Sequence, residues 1–165
     1  MKVIDFSIKE IWDLLEIVKD PEIPVLTIVD LGIVRNIERI DDCITVTITP
    51  TYSGCPAMKV IEDDIVQILK ANNFENVVIK TTISPAWTTD WLTEKGRTAL
   101  EKYGIAPPAE STTDKSFLTD RPKTLQCPFC KSKNTHMISQ FGSTACKALY
   151  KCNDCLEPFD YFKCI

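Results

Sequence analysis

Four of the eight cysteines in this 165-residue chain are paired by spacing: Cys127-Pro128-Phe129-Cys130 and Cys152-Asn153-Asp154-Cys155. A C-x-x-C turn aims two thiolates at one ion, and two such turns supply the four soft ligands of a tetrahedral Zn²⁺. The 21 residues between the pairs, Lys131 to Lys151, exceed the usual spacing of about 15 to 20 by one, which a loop absorbs. Tetrahedral S₄ also suits iron, so zinc and iron both remain open at this site. A closed set of four leaves no position for exchange or catalysis, and its expected task is to hold a small ribbon together.

A second chemical position is Cys55, in Thr51-Tyr52-Ser53-Gly54-Cys55-Pro56. Proline favours the first position of a helix, which makes Cys55 the expected N-cap, where the helix dipole favours thiolate over thiol. Gly54 leaves room for another group to approach the sulfur. The alternative is a small buried residue, as free cysteines often are. Glu22 and Asp30 lie in loops and are able to ligate a metal or orient a thiol, although a solvated turn is the commoner role. Trp87, after Pro85, either walls a pocket or packs in the core. His136 is the only histidine and is far along the chain from Cys55, which leaves a Cys-His catalytic pair unsupported. Cys146 and Cys164 are spare ligands beside the ribbon, and Cys43 reads as structural.

The elements that must position these groups follow from periodicity. Ser7-Ile8-Lys9-Glu10 has capping-box spacing, and Ile8, Ile11, Leu14, Leu15 and Val18 continue at helical spacing until Asp20-Pro21. Val34 to Ile40 and Cys43 to Thr49 predict a hairpin about Asp41-Asp42. A helix then starts near Pro56 with Met58, Ile61, Ile65, Ile68 and Leu69 on one face. Val77, Ile79, Thr81 and Ile83 form a third strand, and a third helix runs from about Thr89 to Tyr103. The order α-β-β-α-β-α implies an α+β domain, residues 1–106, with helices packed on a small sheet. A proline-rich polar stretch makes 107–122 the linker. Residues 123–165 then form a small β zinc ribbon with strands at Thr135 to Phe141, Ala145 to Lys151 and Pro158 to Cys164.

Composition narrows the function classes. The net charge of −4 is uneven: residues 1–106 carry 11 basic and 17 acidic side chains, and residues 107–165 carry 8 and 6. The acidic larger domain argues against nucleic acid as the main partner. No stretch reaches the roughly 20 apolar residues that span a bilayer, and the first residues lack a signal-peptide core, so a soluble, cytoplasmic protein with reduced cysteines is expected.

Asp20-Pro21-Glu22-Ile23-Pro24, Val29-Asp30-Leu31-Gly32-Ile33-Val34, Thr49-Pro50-Thr51-Tyr52-Ser53-Gly54-Cys55-Pro56-Ala57 and Ser84-Pro85-Ala86-Trp87-Thr88-Thr89-Asp90-Trp91, with both cysteine pairs, resemble the PaaD family (also named PaaJ), the D component of the phenylacetyl-CoA epoxidase system. The first domain is similar to the iron-sulfur assembly group that includes SufT-like proteins. The resemblance implies an accessory role in aerobic phenylacetate degradation, without independent catalytic activity: assembly or maturation of the metal or iron-sulfur cofactors of the multicomponent epoxidase. It implies the iron-sulfur reductase as client, with the di-iron oxygenase component as the second candidate. It also implies Cys55 as the functional thiol and Asp30 in the associated motif; a lone thiol is an open, weak site suited to handling iron or an Fe-S cluster transiently, and a homo-oligomer is one way to supply another thiolate. The alternative role is a non-catalytic member of the epoxidase complex that mediates protein interaction or electron transfer through the ribbon.

Overall fold

The structure, a computed structural model, describes residues 7–108 and 124–163. Its chain divides into two compact units, Met1–Trp87 and Thr88–Ile165.

The first unit opens with α1 (Ile8–Leu15), started by the expected capping box: the Ser7 hydroxyl accepts from the Glu10 amide at 3.3 Å, and the Glu10 carboxylate accepts from the Ser7 amide at 2.6 Å. The helix stops at Leu15 although the apolar spacing continues to Val18. The amides of Ile17 and Val18 turn to the i−3 carbonyls of Leu14 and Leu15, and the Ile28 amide claims the Val18 carbonyl at 3.0 Å. Val18 is still buried, but by a loop.

Strands β1 (Val34–Ile40) and β2 (Cys43–Ile48) form the expected antiparallel hairpin, closed by Asp41 in a left-handed conformation at φ 54°. Helix α2 (Ala57–Ala71) then crosses over to β3 (Asn76–Thr81), which pairs parallel to β2. A parallel partner requires such a crossover, so the β2–α2–β3 unit places the Cys55 loop at the carboxyl end of β2. Ile44, Val46 and Ile48 of β2 and Ile61, Ile65 and Leu69 of α2 are fully buried, which makes the sheet face beneath the helices the core.

In the second unit, a 3₁₀ turn at Thr89–Trp91 precedes α3 (Glu94–Tyr103). The third helix is therefore shorter than the span from Thr89. Leu92 is extended, and Thr93 is the true N-cap, its hydroxyl accepting from the Gly96 amide at 3.0 Å. Gly104 ends α3 at φ 89°, and β4 (Ile105–Ala106) follows directly. Strands β5 (Thr135–Ser139), β6 (Lys147–Cys152) and β7 (Pro158–Phe162) complete a four-stranded sheet in the order β4-β7-β6-β5.

The α+β order and the small β ribbon are as expected. The compact division falls at Trp87, however, whereas the composition shift lies near residue 106, because β4 pairs with β7 and Ala106 enters the ribbon core. Residues 109–122 of the expected linker lie outside the described residues. Among the described residues no helix is long and apolar enough to cross a membrane.

Candidate metal centre and thiol site

The two C-x-x-C turns meet. The sulfurs of Cys127, Cys130, Cys152 and Cys155 all lie within 4.8 Å of one another, with Cys127 to Cys155 at 3.7 Å and Cys130 to Cys152 at 3.5 Å. A tetrahedron with Zn–S bonds of about 2.3 Å has edges of about 3.8 Å, so the donor set fits a structural Zn²⁺. The turns are built alike. The residue after each second cysteine, Lys131 at φ 63° and Leu156 at φ 66°, is left-handed, and the Cys127 and Cys152 amides donate to the carbonyls of Ser132 and Glu157 at 2.8 and 3.0 Å.

The turns are also tied to each other. Asp154 accepts from the Ser132 hydroxyl and from Asn134 Nδ2 at 2.7 Å, and these bonds, the first above all, hold its carboxyl below the usual range. Asn153 donates to Asn134 Oδ1 at 2.9 Å.

The four thiols do not ionise alike. Backbone hydrogen bonds from Cys155 first, then Asp154, bring Cys152 down to about 7 against the opposing effect of burial. A backbone hydrogen bond from Glu157 favours the Cys155 thiolate, but burial and the other three sulfurs outweigh it and push Cys155 up to about 12. Ligation requires thiolates, so metal uptake at this centre releases protons.

Cys146 is buried with its sulfur 3.1 Å from Thr144 Oγ1, and it is not among the four clustered sulfurs. His136 sits exposed on β5, opposite Lys151. Cys43 begins β2 half-buried, and Cys164 lies outside the described residues.

Cys55 differs from its expected setting. The helix starts at Ala57 with Pro56 as N-cap, which leaves Cys55 one position outside. Its thiol is pushed up, not down: burial is the largest cause, and the negative charges of Glu22 and Asp20 add to it. The Ala57 amide and the Tyr52 side chain favour the thiolate but do not prevail. Cys55 is thus not the expected N-cap, and burial, with the charges of Glu22 and Asp20 added, shifts its thiol in the direction opposite to that of a helix end. Gly54 does leave the approach open, since a Cβ built there, at φ 79°, meets nothing within 4 Å.

The acidic residues take separate roles. Asp20 is buried and its Oδ1 caps its own loop, accepting from the amides of Glu22 at 2.8 Å and Ile23 at 2.7 Å. The charges of Glu22 and of Asp20, the latter not singled out by sequence reasoning, both act on the Cys55 thiol. The signal for Asp20 was the Asx-turn composition of Asp20-Pro21-Glu22. Asp30 is also buried and closes the next turn reciprocally with Thr27, accepting from Oγ1 at 2.9 Å while its amide donates back at 3.0 Å. Trp87 is buried in the first unit with its indole hydrogen-bonded to this turn. Where β2 runs into the Cys55 loop, the buried Thr49 Oγ1 has no hydrogen-bond partner in the structure.

Fold and site together define a class: an iron-sulfur-assembly type α+β unit joined to a four-cysteine ribbon. Residues 8–78 match the iron-sulfur cluster assembly protein family, and residues 111–163 match the PaaD zinc beta ribbon domain. The chain is 49% identical over 159 residues to a protein of Escherichia coli (strain K12) named as the D component of 1,2-phenylacetyl-CoA epoxidase, spanning 96% of this chain and 94% of that one. The chain belongs to the PaaD family. A shorter relative, the Fe-S protein maturation auxiliary factor of Porphyromonas gingivalis (strain ATCC BAA-308 / W83), is 35% identical over 94 residues, 56% of this chain and 89% of its own. Among solved structures, a domain of unknown function, DUF59, from Bacillus anthracis superposes with a TM-score of 0.53 at 26% identity, covering 56% of this chain and 89% of that one.

Proposed function

We propose that this chain is an accessory protein that assists maturation of the metal or iron-sulfur cofactors of the phenylacetyl-CoA epoxidase system, without turnover of its own. Iron or a cluster is its cargo, Cys55 is the thiol that receives it, and the iron-sulfur reductase is the client, in the cytoplasm. The observation that carries this reading is the separation of two kinds of sulfur site. Four cysteines form a closed centre suited to holding a metal, while Cys55, half-buried after β2 and within the field of Glu22 and Asp20, is not part of any such cluster among the described residues.

One thiol with nearby oxygen donors binds a cation more weakly than four thiolates, which suits a site that must let go. Because the Cys55 thiol holds its proton, cargo displaces that proton on arrival, and reprotonation assists release. Glu22, whose amide is bonded by the Asp20 carboxylate and whose charge acts on the Cys55 thiol, helps attract the cation. Asp30 acts by keeping its turn closed, and a ligand role is not needed for that.

The test is Cys55→Ser in the full chain, co-expressed anaerobically with the epoxidase components. Cluster content of the reductase and iron content of the oxygenase should fall while the zinc content of the variant stays unchanged. Normal cofactor loading in both components overturns the reading.

A further inference from the structure

The two family matches leave residues 79–110 unassigned, and this gap contains α3 and β4. A helix of ten residues does not hold itself together in water, since isolated helices shorter than about 12 to 15 residues are marginal. Two contacts tie the end of α3 to the metal centre. Gly104, which caps the helix, lies against the ring of Phe129 inside the first C-x-x-C turn: a Cβ there would come within 3.0 Å of the ring. The Lys131 ammonium, one residue past Cys130, forms an ion pair with Glu101 on the last turn of α3.

The strand that follows makes the same connection through the core. Ile105 and Ala106 pair with Asp160 and Tyr161 of β7, and Ala106 shares one buried cluster with Cys127 and Cys152. Arg97 ties the two ends of the segment together, donating to the Thr89 carbonyl at 2.8 Å and the Pro108 carbonyl at 2.6 Å.

We propose that α3 and β4 belong to the metal-dependent fold of the ribbon, so that occupancy of the four-cysteine centre decides whether residues 88–108 are folded onto it. A unit below roughly 80 residues seldom holds together on its hydrophobic core alone, and a structural metal commonly supplies the remainder. Here the ligands Cys127 and Cys152 are themselves core residues. Opening the centre removes the surface against which Gly104 and Ala106 pack. The coupling is reciprocal, so loosening α3 must also weaken the hold on the metal. This inference is independent of the role of Cys55.

The experiment uses the zinc-loaded full chain under reducing conditions, before and after zinc removal by a competing chelator, and reads amide hydrogen exchange by peptide. On removal, peptides covering 94–106 should lose protection by at least about tenfold together with those covering 127–155, while peptides from α2 keep theirs; added zinc should restore the pattern. Protection of 94–106 that survives zinc removal overturns the proposal. In the second arm, Gly104→Val forces a side chain into Phe129, and zinc affinity measured by chelator competition should fall by roughly tenfold. Loss of α3 protection in that variant with zinc affinity unchanged also overturns it. If the variant does not fold, the exchange measurement on the unmodified chain decides alone.

Discussion

Trp87 donates its indole N–H to the carbonyl of Leu31 at 2.8 Å, joining residues 56 positions apart at a buried point of the first unit. Leu31 is the third residue of Val29-Asp30-Leu31-Gly32, and Gly32 turns the chain at φ 69° immediately after it. The bond therefore fixes the turn that Asp30 and Thr27 close from the other side. Trp87→Phe keeps much of the packing but leaves the buried carbonyl without its donor, which costs about 1–3 kcal/mol. Chemical denaturation of the zinc-loaded protein should show that loss, and a variant as stable as the parent would remove the hydrogen bond from this account.

Thr49 offers the opposite case. Its hydroxyl is buried and without a partner, so Thr49→Val removes an unsatisfied polar atom at nearly constant shape. The substitution should be neutral or raise stability by about 1 kcal/mol. A clear loss in a urea titration would mean that the hydroxyl is bonded in solution.

Cys55 should titrate late. Burial first, then the charges of Glu22 and Asp20, raise its folded pKa above that of the unfolded chain. The linkage sign is that of any raised pKa: the thiol form is favoured by folding, so the contribution to stability is intact below the unfolded pKa and declines as pH rises through the folded one. Alkylation by a mild haloacetamide should therefore follow a curve with its midpoint above the ordinary cysteine value of about 8.5. Glu22→Gln should move that midpoint down and Tyr52→Phe should move it up. A midpoint below the ordinary value would restore the dipole-activated thiolate.

The two left-handed residues beside the metal centre carry a measurable strain. A non-glycine residue in that conformation costs roughly 1–2 kcal/mol, and glycine avoids it while losing about 0.5–1 kcal/mol of its own through backbone entropy. Leu156 is exposed, so Leu156→Gly should stabilise the zinc-loaded second unit by a net amount of about 0.5–1 kcal/mol. Thermal melts of Leu156→Gly and Leu156→Ala separate the backbone from the side chain: only the glycine variant should gain.

Much of this architecture was legible in the residues. The capping box at Ser7 and Glu10, the alternation of Ile44, Val46 and Ile48, and the two cysteine pairs depend on neighbours in sequence, and all three formed as their spacing implies. What the sequence hid depends on long-range contacts. The end of α1 was set by the Ile28 amide taking the Val18 carbonyl, and the allegiance of α3 was set by β4 finding β7 across more than 50 residues. The ionisation of Cys55 depends on the fold in the same way: the proline beside it is local and visible, whereas the burial that raises its pKa, and after it the charges of Glu22 and Asp20, come from long-range contacts. Composition located a polar stretch after residue 106 but carried no information about which side of it the preceding helix would join.

The placement of Cys55 on a βα connection has an evolutionary consequence. The register of β2 against β3 is held by six paired residues on each strand, and α2 is anchored by Ala57, Ile61, Ile65 and Leu69. None of those anchors lies between Pro50 and Pro56. The loop that carries the thiol, residues 51–55, therefore lies outside the packing that holds strands and helix together, and a loop so placed tolerates change in length and chemistry better than the elements it connects.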